Sequence, residues 1–425
     1  MNMKRNYKKN IRNWLVTAFA AIVIAVGISG VQRVRAVDEL NSKLQVFLQV
    51  IDIVKSDHVE KNLDDKKLVY GAIKGFLEGL DDPYTRFMEP PAFKEMKARL
   101  NGSYSGIGIY IGLKKKKLVV ISPIPDTPAD KLGLKAMDHI VTIEGKPTRD
   151  MGLEEAVSMI RGPKGTAVKI GILRDKDKKP KEYRIIRDKI TIKSVEYKLL
   201  DKDSGYIKLN TFENLNANKE MEKAINFMES KKVRGLILDL RGNGGGLLAN
   251  AVEISNMFLT KDLPIVATVD RDGQRDVLYS YGPGIWKKPL VVLIDQSSAS
   301  ASEILAGAIK DNHVGTIVGY HSFGKASVQN IRQLQDGSAI LVTIAKYQTP
   351  SGLDISKKGV IPDIIVRTGK ERDFHNGSEE ASSEDEAEEE DLIPDKDPKK
   401  DVQLIKAQEV LRGKIADSIK KTGRE

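Results

Sequence analysis

Two short stretches hold the residues with the most chemistry to offer. One is Ser297-Ser298-Ala299-Ser300-Ala301-Ser302-Glu303, and the other is Phe323-Gly324-Lys325-Ala326-Ser327-Val328-Gln329. A serine hydroxyl is a poor nucleophile until a base takes its proton. A lysine can be that base only when neutral, which requires burial or a cationic neighbour to bring its pKa from about 10.4 towards roughly 7–8. Phe323, Val328 and a nearby apolar helix face are the expected cover. Gln329, four residues after Lys325, is expected to orient the amine through its carbonyl oxygen.

The surrounding pattern says how the two stretches could meet. The apolar run from Leu290 to Ile294 reads as a buried strand. Ser300 with Glu303 has the S-x-x-E form of a capping box, which predicts a helix starting there. Ile304, Leu305, Ala308 and Ile309 give that helix one apolar face. A second strand is expected over 316–319, just before Lys325. Parallel neighbours joined by the helix would put serine and lysine at the same end of a sheet. The helix N-terminus would aim backbone N–H groups at a developing oxyanion. Chemistry alone does not choose Ser300 over Ser298 or Ser302. A plain N-cap serine and a surface lysine are the alternative use of the same residues.

These motifs resemble the signature of the carboxyl-terminal processing (tail-specific) serine proteases. The resemblance implies that Ser300 is the nucleophile, Lys325 the general base and Gln329 its support, with Asp311 structural. It departs from the family pattern at Ser297, Ser322 and Ala326; no reacting group is lost. The stretch Asp239-Leu240-Arg241-Gly242-Asn243-Gly244-Gly245-Gly246 also matches. It implies an oxyanion hole built from the Gly245 and Ala301 N–H groups, with Gly246 as the alternative glycine. Asp239 and Arg241 would hold this loop. Read without the resemblance, a glycine run after a strand suggests phosphate binding, but the P-loop Lys-Ser/Thr is missing.

Residues 99–190 read as a small β-rich domain similar to a PDZ domain. The alternation Gly106-Ile107-Gly108-Ile109, the Ser122 to Ala129 segment and Arg161-Gly162-Pro163-Lys164-Gly165 carry that likeness. It implies that the Gly106–Ile109 loop binds a peptide carboxylate through backbone N–H groups while an apolar tail adds as a strand. Arg161, in a Gly/Pro-rich loop, is the candidate regulatory residue; tail binding would either activate the protease or merely tether substrate.

Composition bounds the rest. The 425 residues allow two or three domains, 40% hydrophobic content can fill ordinary cores, and there is no cysteine for disulfides or thiolate metal sites. Net charge is +10, but only 6% of residues are aromatic and none interleave with basic clusters, which disfavours nucleic acid. Residues 14–31 form an apolar run behind Lys4, Arg5, Lys8, Lys9 and Arg12, a signal peptide or a membrane anchor. The basic flank would stay cytoplasmic and the remainder would be exported. Acids crowd Glu379 to Asp391, the composition of a solvated linker.

The expected architecture is α/β and multidomain. It has a signal or anchor at 1–37, an N-terminal helical region at 38–98 and an inserted PDZ domain at 99–190. A crotonase-like Ser/Lys protease core at 191–370, an acidic linker at 371–400 and a C-terminal helix at 401–425 complete it. The expected partners are protein substrates with apolar C-terminal tails, the membrane through the N-terminal segment, and an adaptor or a second copy. No metal or cofactor is required. A silent PDZ adaptor and an acyl-thioester enzyme of crotonase-like fold are the competing classes. The intact Ser300, Lys325 and Gln329 set argues against the first, and the lack of a coenzyme site against the second.

Overall fold

A computed structural model describes residues 41–114, 117–149, 151–174, 177–191, 193–368 and 400–422. The apolar run at 14–31, its basic flank and most of the acidic segment lie outside the described residues. Among the described residues, no helix is long and apolar enough to cross a membrane. The chain divides into two units, 1–73 and 74–425. The described part of the first is helical over 41–57 and enters a second helix, Asp65–Glu78, with Lys55 bridged to Asp65 at 2.8 Å.

The second unit is built on a six-stranded sheet. Its strand order is Val195–Leu199, Ser204–Leu209, Gly235–Asp239, Leu290–Ile294, Thr316–Gly319 and Ile364–Ile365. Only the first pair is antiparallel. Alternate side chains of the central strands go to opposite faces, as a pleated backbone requires. Leu236, Leu238, Leu290, Val292 and Ile294 pack towards the helices Ala217–Ser230, Leu248–Phe258 and Ala301–Asp311. Ile237, Val291, Leu293 and Val318 face the other way. The helix Val402–Thr422 covers that second face with Leu404, Ala407, Leu411 and Ile415, one stripe at helical spacing. Each such burial stabilises by about 1.5–3 kcal/mol for the larger side chains. The C-terminal helix is therefore a layer of the protease core, although a long segment separates it in sequence.

A second sheet is antiparallel and runs Arg86–Met88, Ala339–Gln348, Pro264–Asp270, Arg275–Tyr279, with Ser327–Gln333 also paired to Ala339–Gln348. Arg86–Met88, Ser327–Gln333 and the helix Pro90–Leu100 were not legible as elements in the sequence. The first is three residues long and gains its hydrogen bonds only from a partner some 250 positions away.

The PDZ-like sheet runs Ile109–Lys114, Lys117–Pro123, His139–Ile143, Ala167–Leu173, Lys181–Ile186. Ile109–Lys114 is an edge strand. A separate ladder, Ser103–Gly106 with Asp188–Thr191, closes the base of this domain.

Candidate active site

The helix after Leu290–Ile294 begins at Ala301, with Ser300 as its N-cap residue, and the next parallel strand leads to Lys325. The expected strand–helix–strand unit thus forms, and the three serines are sorted by burial. Ser298 is fully buried and its hydroxyl donates to Leu240 O at 2.9 Å. Ser302 is fully buried and donates to Asn243 O at 2.8 Å. Ser300 alone of the three has its hydroxyl free of backbone carbonyls; Oγ lies 2.8 Å from Tyr347 Oη. Its backbone sits at φ +57°, ψ −114°, a conformation costly for a residue with a Cβ and characteristic of strained functional turns. Tyr347 is 3% exposed, and its burial pushes the phenol pKa up, so it stays a neutral hydrogen-bonding group.

The glycine loop lies directly against this turn. A Cβ on Gly245 would stand 2.8 Å from Ser300 Cβ and 2.9 Å from Ala301 N, so only glycine fits, and its φ of +96° suits glycine as well. Gly246 packs elsewhere, against the Phe212–Glu213 backbone. Of the two candidate glycines, Gly245 is the one beside Ser300. Its own N–H, however, donates to Asn243 Oδ1 at 2.9 Å. The Ala301 N–H is at the first position of the helix, where no intrahelical acceptor exists.

Arg241 fastens this loop from behind. Its guanidinium donates to Asp239 and, across the sheet end, to Asp401 Oδ1 and Oδ2, both at 2.8 Å. Gln403 Oε1 adds a contact at 3.2 Å. All four residues are buried. A buried charge of this kind is tolerable only with such pairing. The C-terminal segment thus reaches the residue next to Gly242, a connection no local sequence pattern could reveal.

Glu303 is the residue the sequence undervalued. Its carboxylate accepts from Ser300 N at 2.8 Å, Lys325 N at 3.0 Å, Gly324 N at 2.6 Å and Ser322 Oγ at 2.6 Å. It is 1% exposed, and burial pushes its pKa up against the pull of those donors. The capping-box spacing was the available signal. What it missed is that one carboxylate ties the Ser300 turn to the Lys325 turn.

Lys325 is half-buried. Burial first, and then the nearby Arg86 charge, hold its pKa below the ordinary lysine value, opposed by Glu303 and Asp82. The expected cover is corrected here: Phe323 is 51% exposed, and the aromatic ring against the amine is Tyr84, whose centroid lies 4.6 Å from Nζ. No hydrogen bond joins Lys325 Nζ to Ser300 Oγ. The expected pairing with Gln329 is also not formed; Gln329 Nε2 is buried without a partner. Four residues make one turn of a helix, but this segment runs into the strand Ser327–Gln333, where four residues span about 13 Å. Tyr84 comes from the turn Asp81 to Thr85. There Asp82 accepts from Tyr84 N at 3.0 Å and Thr85 Oγ1 at 2.6 Å, and Thr85 Oγ1 accepts from Thr343 N at 3.0 Å. Asp311, expected to be structural, accepts from Ser351 N at 2.9 Å.

In the PDZ-like domain, Gly106, Ile107, Gly108 and Ile109 line one wall of a wide cleft. Gly108 has φ +80°, and a Cβ there would collide with the Thr127 side chain. The loop is pinned by Ile124 N to Gly108 O and Ala129 N to Ile107 O, both 2.9 Å. Arg161 lines the same cleft, not the Ser300 site. Its Nη1 lies 3.3 Å from Glu95 Oε2, and its guanidinium 5.4 Å from the Tyr104 ring centroid. Burial pushes the Tyr104 phenol up to about 12.

A strained serine at a helix N-terminus, a glycine loop against it, and a lysine of lowered pKa whose turn is tied to the serine's through Glu303 are features a serine hydrolase of α/β architecture would need. The family comparisons narrow the class. The model of peptidase family S41 matches residues 203–366, the PDZ domain model 95–173, and the model of the activating protease CtpB N-terminal domain 25–91. The carboxy-terminal-processing protease of Bartonella bacilliformis is 38% identical over 90% of this chain and 92% of its own length. The carboxyl-terminal-processing protease of Synechocystis sp. is 38% identical over 74% of both chains. A solved photosystem II D1 C-terminal processing protease superposes with a TM-score of 0.51 at 32% identity, covering 76% of this chain and 92% of that one. The chain belongs to the carboxyl-terminal processing proteases of peptidase family S41. It is a serine peptidase carrying a PDZ domain.

Proposed function

We propose that this protease cleaves proteins near their C-termini by a Ser–Lys mechanism, with the PDZ domain binding the substrate's tail. The observation that carries the reading is the position of Ser300, a strained N-cap residue whose hydroxyl is not committed to a backbone carbonyl. In the proposed cycle Lys325, neutral, takes the Ser300 proton as Oγ bonds to the scissile carbonyl carbon. The carbonyl oxygen becomes an oxyanion held by the Ala301 N–H, with the Gly245 N–H turning from Asn243 to join it. Lys325 then returns the proton to the leaving amine as the C–N bond breaks; in the second half it takes a proton from water as the water oxygen bonds to the acyl carbon, and gives it to Ser300 Oγ as the ester bond breaks. Gln329 is the residue proposed to receive the Lys325 amine, through its Oε1 acceptor, when the amine moves onto the serine; its Nε2 is a buried donor without a partner. The test is cleavage of a tailed reporter by Ser300→Ala; ordinary turnover by that variant sinks the mechanism.

The tail is proposed to add to the open edge of Ile109–Lys114, its carboxylate on the Gly106–Ile109 N–H groups. Gly108→Val should impair cleavage of tailed proteins and spare short peptides. Arg161 is proposed to report tail binding through Glu95, on the helix that follows Arg86–Met88. The N-terminal run at 14–31 supports an extracytoplasmic location, anchored in the cytoplasmic membrane or released after cleavage of a signal. A reporter active only in the cytoplasm, fused after Val69, should be silent. An adaptor or a second copy of the chain remains a proposed partner, to be sought by crosslinking.

A further inference from the structure

We infer that Tyr84 is a positioning residue for the base, a latch that parks Lys325 away from Ser300 until the turn Asp81 to Thr85 moves. The inference rests on the Ser–Lys reading above. Four observations carry it. Lys325 Nζ lies over the Tyr84 ring, 4.6 Å from its centroid. Ser300 Oγ is meanwhile engaged by Tyr347 at 2.8 Å. Gln329, the expected partner of the amine, makes no hydrogen bond to it, and its own Nε2 is a buried donor with no acceptor, an energetically costly state. The latch is itself fastened, through Asp82 to Thr85 and through Thr343 N to Thr85 Oγ1, to the strand Ala339–Gln348 that also carries Tyr347.

The physical effect has a definite sign. An aromatic face attracts the ammonium form of lysine and not the neutral amine. Contact with Tyr84 therefore opposes the deprotonation that general-base catalysis requires. The other charged groups that act on Lys325 are Arg86, which favours the neutral form, and Glu303 and Asp82, which favour the charged form. Burial is the larger influence and also favours the neutral amine. Tyr84→Leu keeps an apolar side chain over the amine, and with it most of the burial, while it deletes the aromatic contact that holds the charged form. A cation–π contact at a half-buried site is worth up to about one pH unit in the amine's titration.

The position of Tyr84 also makes it controllable. It precedes Arg86–Met88, which leads through Glu89 into the helix Pro90–Leu100. That helix carries Glu95, the ion partner of Arg161 at the tail cleft. One continuous segment, 82–100, thus joins the cleft of the PDZ-like domain to the ring over the base.

The test is the pH dependence of kcat/KM on a short, tail-less peptide for Tyr84→Leu and Tyr84→Phe, with rates normalised to Ser300 titrated by an irreversible serine reagent. Thermal melting is measured in parallel. Tyr84→Leu should raise the basal rate at neutral pH up to about tenfold and shift the rising limb to lower pH by up to about one unit. Tyr84→Phe keeps the ring and should track the parent chain. An unchanged or lower normalised rate with an unmoved pH limb for Tyr84→Leu overturns the latch. Equal behaviour of the Leu and Phe variants overturns the ring as its agent. Lys325→Ala, run alongside, separates the two readings. If it retains activity the Ser–Lys mechanism fails; if it is inactive and Tyr84→Leu is silent, only the latch fails.

Discussion

Ser300 and Lys325, the proposed nucleophile and base, are held in opposite ways. Ser300 sits in a turn stitched on every side: Asp295 accepts from Gly242 N and Ser297 N, Asn243 O takes Ala299 N and Ser302 Oγ, and Glu303 takes Ser300 N. Lys325 has its backbone held by Glu303, but its amine rests on a ring and makes no hydrogen bond to its expected partner Gln329, whose Nε2 is buried without an acceptor. The difference teaches where the protease keeps its freedom. The electrophile-binding half is preorganised, so it costs no reorganisation when charge develops. The half that would transfer the proton rests, on the proposed mechanism, with a long, flexible side chain.

The comparison can be broken most directly at the serine. Ser300→Ala should lower cleavage of a tailed reporter by at least about 10³-fold, since the residual rate comes only from binding and the oxyanion site. Ser298→Ala should keep much of the turnover and lose about 1–2 kcal/mol of stability, because Asp295 N and Leu240 O lose their buried partner. Turnover assays with denaturant melts read both numbers; a fully active Ser300→Ala would show that the rigid half is only structural.

Lys325→Arg should be nearly as inactive as Lys325→Ala, because arginine does not deprotonate in the working range. On the proposed mechanism the neutral amine is the active form, and its pKa is lowered, so kcat/KM should rise with pH on a limb below the ordinary lysine value of 10.5. A flat profile, or an active arginine variant, removes lysine from the proton transfer.

Glu303→Gln tests whether the two halves depend on one carboxylate. All four of its partners are donors, so an amide NH₂ must face at least one of them. About 3 kcal/mol of stability and roughly 10²-fold in kcat should be lost, with KM little changed. A loss confined to stability would make Glu303 a scaffold for folding alone.

Asp401→Ala reaches the rigid half from behind. It leaves Arg241 half-paired in a buried site, which should cost about 3 kcal/mol and only a few-fold in kcat. Wild-type melting in that variant would show that the C-terminal helix docks through its apolar stripe without the ion pair. The smallest effect is expected at Arg161→Ala, whose partner Glu95 is solvent-exposed. Stimulation of a short substrate by a free apolar-ended peptide should fall by up to about fivefold, with the basal rate kept. An unaltered response leaves tethering as the role of the PDZ domain.

The sequence by itself determined what is local and periodic. It set the strand Leu290–Ile294, the helix opened by Ser300 and Glu303, and the helix Leu153–Ile160. The order of the motifs also followed from it, because these signals lie within one turn or one pleat of the chain. Residue chemistry alone could not rank three neighbouring serines, and it was the family resemblance that singled out Ser300 to pair with Lys325; the physical ground for ranking them was missing. That ground came from burial, which depends on the glycine loop some 55 residues earlier. Only the tertiary structure decided that Asp401 pairs with Arg241, that Thr85 caps the backbone of Thr343, and that Tyr84 rather than Phe323 lies on the amine. Each is a contact between segments far apart in sequence. Its existence depends on how sheets twist and helices stack, and no short stretch of residues records that. The Gln329 expectation missed for the same reason: spacing by four places side chains together on a helix, and this segment is a strand because Ala339–Gln348 is there to pair with it.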